Sequence, residues 1–258
     1  MPIRTVDRDY RAAPDLLKDR VILVTGAGDG IGRAAALAYA RHGATVILLG
    51  RTIPKLESVY DTIEAEQLPQ AAIYPMNLEG ATVKDYDDLA LKVGHEFGRL
   101  DGVLHNAADL GALMPLQQYE PEMWYRVMQV NLHAPFLLTR ACLDILARAA
   151  DASVVFVSDR VGRRGLAYWG AYGVSKAGLE SLMQTLAEET ENGTRIRSNS
   201  IDTGAVHTRL RRQAYPGENS ERLATPDDVV GPFLYLMGPD SIGVTGQQFV
   251  IERPGTED

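Results

Sequence analysis

Tyr172 and Lys176 stand four residues apart in a stretch with a helical pattern, so their heads lie one turn apart on one face. A phenol beside an ammonium can do acid–base work, because the cation lowers the phenol pKa and lets it exchange a proton near neutrality. On its own, a Tyr and a Lys at this spacing is usually a surface pair. Asn131 and Pro135 mark a second spot. Pro135 has no N–H, so the Asn131 carbonyl loses its helical partner and a kink is expected. A freed carbonyl beside a polar side chain can hold a water molecule; the bland alternative is a kink with no chemistry.

The third stretch is Thr25-Gly26-Ala27-Gly28-Asp29-Gly30-Ile31-Gly32, between an apolar run at 21–24 and an Ala-rich helical pattern. Strand, Gly-rich loop and helix in that order form a phosphate-binding turn. Gly26 allows the tight turn, Gly30 lets a pyrophosphate reach the backbone, and Gly32 lets the helix pack close. The helix N-terminal N–H groups then face the anion. An ordinary strand–helix turn shares the order, and nucleotide binding is the preferred reading. The next apolar run, 45–49, ends in Gly50-Arg51-Thr52. In dinucleotide folds an acid at this point bonds the ribose hydroxyl of NAD, whereas an Arg accommodates the 2′-phosphate of NADP. The acid is absent and Arg51 is present, which favours NADP(H) over NAD(H). A solvated loop charge is the alternative. His105 reads as a packed structural histidine rather than a catalytic one.

Positioning these residues takes a regular frame. Apolar runs at 20–25, 45–49, 71–76, 100–104, 153–157, 195–201 and 247–251 alternate with helical patterns at 30–42, 54–67, 83–97, 120–149, 168–191 and 226–237. Residues 202–216 read as irregular. Strand and helix in strict alternation predict an α/β, Rossmann-type doubly wound parallel sheet of about seven strands with helices on both faces. Residues 20–252 are expected to form one domain, after a polar N-terminal arm (1–19) and before a polar tail (253–258). The 258 residues carry 26 basic against 34 acidic side chains, a net charge of −8 spread without long runs. That surface argues against nucleic acid and anionic membranes as partners. One cysteine, Cys142, excludes an internal disulfide framework. No run approaches membrane-spanning length, the N-terminus lacks a signal-peptide core, and no metal site is expected. A cytoplasmic protein is the expectation.

The glycine turn, Asn106-Ala107 after the fourth strand, Asn131 within a helix and Tyr172-x-x-x-Lys176 opening the helix after the fifth strand occur in one order and spacing. Together they resemble the short-chain dehydrogenase/reductase superfamily over about residues 18–250. The stretches DRVILVTGAGDGIGR, ATVILLGR, LDGVLHNA, VMQVNLHA, YWGAYGVSK and FLYLMGPDS are also similar to bacterial YciK-type oxidoreductases. The resemblance implies that Tyr172 is the general acid/base. Lys176 would depress the tyrosine pKa and bond the nicotinamide ribose, and Asn131 would anchor a water linking Lys176 to solvent. It also implies that Gly26, Gly28, Asp29, Gly30, Ile31 and Gly32 cradle the phosphates, that Asn106 and Ala107 line the adenosine ribose, and that Asn77 and Leu78 flank the adenine.

Departures accompany the match. The family places a serine thirteen positions before the tyrosine, where this chain has Asp159. Ser158 substitutes only if the backbone turns there, since successive strand residues face opposite ways. An ionised Asp159 cannot donate and would repel a developing alkoxide. A protonated one could donate, and an ionised one would suit a cationic group such as an iminium. Asn77 replaces a usual aspartate, Ala108 a common glycine, and Thr203-Gly204 the usual Pro-Gly near the nicotinamide. Two functions follow: an NADP(H)-dependent oxidoreductase on a carbonyl/alcohol or imine substrate, or a nucleotide-binding protein of this fold with weak or no turnover. A homodimer or homotetramer is expected through the helices at 120–149 and 168–191. Arg209, Arg211 and Arg212 lie in a loop over the substrate and could favour an acidic ligand, or be a solvated face.

Overall fold

β-branched runs pack as strands, and the helical stretches between them return the chain to the start of the next strand. The computed structural model describes residues 3–251. Its strands are β1 (Ile3–Val6), β2 (Val21–Thr25), β3 (Thr45–Gly50), β4 (Ala72–Pro75), β5 (Gly102–His105), β6 (Ala152–Ser158), β7 (Ile196–Asp202) and β8 (Gln248–Ile251). Its α-helices are α1 (Gly30–Arg41), α2 (Ile53–Ala65), α3 (Val83–Phe97), α4 (Pro121–Met128), α5 (Ala134–Leu146), α6 (Gly170–Thr190), α7 (Arg209–Ala214) and α8 (Val230–Met237).

The sheet order is β1, β8, β7, β6, β5, β2, β3, β4, with every neighbouring pair parallel. Order reverses at β2, whose neighbours are β3 on one side and β5 on the other. A crevice therefore opens beyond the carboxyl ends of β2 and β5, where ligands of such sheets bind. Alternation along β2 sets the layers. Ile22 and Val24 join one core with Ala35, Leu56 and Phe233 from α1, α2 and α8. Val21 and Leu23 join the other with Tyr86, Leu138 and Leu179 from α3, α5 and α6. Helices thus cover both faces, as expected.

The sheet has eight strands among the described residues, against about seven expected. The extra one lies in the N-terminal arm: β1 pairs with β8 in the register Ile3↔Gln248 to Val6↔Ile251. Its partner is distant in sequence and its side chains are mostly exposed, so period and hydropathy give little signal. The arm is also tied down beyond β1. Leu17 is fully buried and its N–H donates to His42 O at 2.9 Å. The tail at 253–258 lies outside the described residues.

Two further corrections concern helices. The stretch 120–149 is α4 and α5 joined by a π-turn, Gln129–His133. Pro135 cannot donate to Asn131, and the Ala134 N–H instead reaches Gln129 O, widening the turn. The segment expected to be irregular holds α7, started by the Thr208 side chain accepting from Arg211 N at 3.1 Å. At the opposite end of the sheet, buried Arg197 of β7 donates to both Asp151 carboxylate oxygens at 2.8 and 3.0 Å. It also donates to the carbonyls of Leu236, Gly238 and Ser241, which fixes the end of α8.

Candidate active site

The glycine turn leaves β2 with Gly26 at φ 69° and starts α1 with Gly30 at φ 51°. Both values lie in the left-handed region open to glycine. A Cβ on Gly32 would be driven into the Gly26 carbonyl and the Asn106 amide, so the close approach of α1 to β2 depends on its absence. Asp29 caps α1 by accepting from Gly30 N at 2.8 Å and forms an ion pair with Lys55 of α2. That hydrogen bond from Lys55 holds the Asp29 carboxyl below the usual carboxylate range. Lys55 was not legible as a site residue, because its place over the turn depends on how α2 packs: a Cβ on Gly28 would lie 2.9 Å from Lys55 Cβ. The adjoining strand end is locked to the turn. Thr25 Oγ1 accepts from Asn106 N at 3.0 Å and Ala107 N at 3.1 Å, and Asn106 Nδ2 donates to Thr25 O at 3.1 Å.

This is a cradle that fits a dinucleotide. The N-terminus of a 12-residue helix meets a loop in which Gly26, Gly28 and Gly30 carry no side chain. Arg51 follows β3 and is exposed. Asn77 is exposed and accepts from Glu79 N at 3.3 Å, while Leu78 is buried against the core of α3.

Across the crevice, α6 begins after the loop that follows β6. Tyr172 is 5% exposed and Lys176 2%. Asn131, in the π-turn, joins this helix to the loop after β5: its Oδ1 accepts from Asp109 N at 2.7 Å, and its Nδ2 donates to Asp109 O and Ser175 Oγ at 2.9 and 3.0 Å. Its amide is so engaged, and its carbonyl lacks the ordinary helical donor because Pro135 has no N–H.

One expectation on the acid–base pair changes. Lys176 Nζ donates to Val157 O at 2.6 Å and lies 5.5 Å from the Tyr172 ring centroid. Tyr172 is not depressed: burial, and then the Asp159 and Asp202 carboxylates, push its pKa well above the ordinary phenol value. Burial pulls Lys176 down to about 8, against the opposing pull of Asp159, Glu180 and Asp202. Glu180 lies one helical turn from the lysine, but sequence could not foresee the burial or Asp202, which reaches the lysine only through the fold.

Asp159 is extended (φ −155°, ψ 151°), so the strand alternation continues through it. The backbone does not turn, and it is the Asp159 carboxylate that acts on the Tyr172 phenol. It also accepts from Val161 N at 3.1 Å. Ser158 Oγ is buried with no hydrogen-bond partner among the described residues. Below the pair, Arg163 donates to Glu180 at 3.4 Å and faces Asp202 at 3.8 Å, and Ser200 Oγ donates to Glu180 at 2.6 Å. Gly204 (φ 67°) donates to Asp202 at 2.8 Å, closing the Thr203-Gly204 turn.

The loop over the site packs Leu210 and Ala214 of α7 against Leu110, Val161 and Tyr172. Arg211 is bound to Glu218 through two 2.6 Å hydrogen bonds, whereas Arg209 and Arg212 are exposed. His105 is structural: it is buried, its Nε2 is 2.9 Å from Thr139 Oγ1, it stacks on Phe156, and burial pulls its pKa down to about 3.

With this geometry in place, comparison with known proteins is informative. The family model for short chain dehydrogenase matches residues 20–219. The uncharacterized oxidoreductase YciK of Escherichia coli K12 is 46% identical over 240 residues, covering 93% of this chain and 94% of that protein. A solved structure from Pseudomonas syringae superposes with a TM-score of 0.92 at 55% identity, covering 94% of this chain and 98% of the other. Another, from Escherichia coli CFT073 in complex with NADPH, has a TM-score of 0.90 at 46% identity and covers 93% and 99%.

Proposed function

Because this chain belongs to the short-chain dehydrogenase family, we propose that it is an NADP(H)-dependent oxidoreductase with Tyr172 as its general acid/base. The observation that carries this reading is one crevice with a glycine cradle on one wall and the Tyr172–Lys176 pair on the other. The bound nicotinamide would supply hydride to a C=O or C=N carbon. Gly26, Gly28, Asp29, Gly30, Ile31 and Gly32 would hold the phosphates, Asn106 and Ala107 the adenosine ribose, and Asn77 and Leu78 the adenine. Gly204 would approach the nicotinamide. Tyr172 would give its proton to the substrate heteroatom, and Lys176 would bond the ribose. The Asn131 carbonyl would seat the water through which that proton is replaced from solvent.

NADP(H) over NAD(H) is supported by Arg51 and by the NADPH held in the Escherichia coli relative. A charge-assisted contact of this kind contributes about 1.5–3 kcal/mol. Arg51→Ser is therefore expected to lower the NADPH-over-NADH preference in kcat/KM by about 10- to 100-fold. An unchanged ratio would remove Arg51 from the phosphate site.

A homodimer or homotetramer is the proposed assembly. Tyr125 on α4, Phe136 on α5 and Val174 on α6 are large, apolar and exposed on neighbouring helices. Light scattering is expected to give a multiple of the 28.2 kDa chain mass, and a monomer would contradict it. No helix among the described residues is long and apolar enough to cross a membrane. The cytoplasm is the inferred compartment, on the strength of a single cysteine, Cys142, that is free and buried.

A further inference from the structure

We propose that the substrate of this site carries C=N rather than C=O, with Asp159 and the ring faces of Tyr172, Trp169 and Tyr215 holding a nitrogen that becomes cationic. The proposal rests on the oxidoreductase reading and narrows its substrate class.

Three observations support it. The first is the position of Asp159. Its side chain caps the turn that packs Val161 against Tyr172, which places the carboxylate near the heteroatom to which the phenol must deliver a proton. Where a carbonyl is reduced, negative charge grows on oxygen, and a carboxylate at that point opposes it. Where an imine is reduced, proton delivery makes the nitrogen positive, and the same carboxylate favours it.

The second is the charge balance. Asp159, Glu180 and Asp202 are three carboxylates around the tyrosine and lysine, against two cations, Arg163 and Lys176. Arg211, a further cation near Asp159, is already bound bidentate by Glu218. The site carries an excess negative charge that a cationic ligand would neutralise.

The third is the lining. The Trp169 centroid lies 5.7 Å from that of Tyr172 and 5.9 Å from that of Tyr215. Arg211 already lies 3.7 Å over the Tyr215 ring, so a face of this wall is used by a cation in the structure itself. Aromatic faces next to a carboxylate attract cations and accept their apolar bodies. Leu110 and Val161 continue the apolar surface.

The reaction balances as follows. The imine carbon accepts hydride from NADPH and forms a C–H bond. The imine nitrogen's lone pair takes the Tyr172 phenolic proton and forms N–H, and the C=N π pair becomes the amine lone pair as the hydride arrives. The imine is reduced to an amine, NADPH is oxidised to NADP⁺, and the Tyr172 phenolate regains its proton from solvent through Lys176. Asp159 stabilises the nitrogen while the proton leads the hydride.

The test uses a set of benzo-fused bicycles: dihydroisoquinoline and α-tetralone as oxidised forms, tetrahydroisoquinolinium and α-tetralol as reduced forms. Calorimetric titration of the NADP⁺-loaded protein is expected to show tetrahydroisoquinolinium binding about 10-fold or more tighter than α-tetralol. Asp159→Asn should erase that difference, and Asp159→Glu should restore part of it. Asp159→Ser, which returns the hydroxyl usual in the family, should move preference toward the alcohol and serves where the Asn variant fails to fold. Equal binding of the two by wild type, or a preference unmoved in folded Asp159 variants, would overturn the proposal. NADPH consumption with dihydroisoquinoline and α-tetralone is read in parallel. An Asp159-dependent cation preference with no NADPH consumed would keep the cation site and remove the oxidoreductase reading.

Discussion

Tyr172→Phe is expected to lower kcat/KM by about 10²–10⁴ while leaving NADPH affinity and the folding transition in place. The substitution removes one oxygen and keeps the ring that packs against Trp169, Leu110 and Val161. What is lost is the proton that must reach the substrate heteroatom. Burial and the Asp159 and Asp202 carboxylates hold the phenol pKa well above its ordinary value, so the phenol stays protonated through the neutral range. A raised pKa keeps the acid form available for reduction and makes the base form, needed for oxidation, scarce. Reduction in wild type should therefore hold across neutral pH, and oxidation should climb as the pH rises. Steady-state kinetics with a parallel NADPH titration checks this. A variant that loses cofactor binding along with turnover would assign Tyr172 a structural role instead.

Arg197→Met should be the largest single loss of stability. Arg197 is 5% exposed, and its guanidinium donates to Asp151 and to the carbonyls of Leu236, Gly238 and Ser241. Removing it takes one donor from each of those carbonyls, which keep Ser153 Oγ, Ser241 Oγ and Val244 N, and takes from Asp151 one of its two arginines, the other being Arg20 at 2.8 Å. Breaking a buried pair in this way costs about 3–5 kcal/mol. For a chain of this size that corresponds to a fall in Tm of roughly 10 °C. Differential scanning fluorimetry reads it directly, and a shift within about 2 °C would show that the network is dispensable. Because the network lies at the amino end of the sheet, kcat at a temperature where the variant is folded should be little changed.

These two residues show what could be read from the chain and what could not. Tyr172, Lys176 and the glycine turn were legible because their chemistry is local: one helical turn, one strand–loop–helix junction. The parallel frame was legible from alternation alone. Arg197 gave no signal, because its meaning comes from Asp151 and from carbonyls about forty positions away in α8 and the turn after it. The same holds for β1, whose partner is at the far end of the chain, and for Lys55 over the glycine turn. Asp159 lay between these cases. Its departure from serine was visible, but only the extended backbone at 158–159 decides that the carboxylate, and not Ser158, meets the phenol. The sign of the Tyr172 shift was misjudged for a related reason. The helix supplied one nearby cation, and the fold added burial and two carboxylates.

The most direct measurement is NADPH consumption by wild type and Asp159→Ser, run side by side over ketones, aldehydes, quinones and imines. The account predicts that wild type oxidises NADPH, favours the imines, and is not improved on them by the serine variant. If only the serine variant consumed NADPH, Asp159 would be a lesion rather than part of a working site, and the natural chain would bind the nucleotide without turning it over.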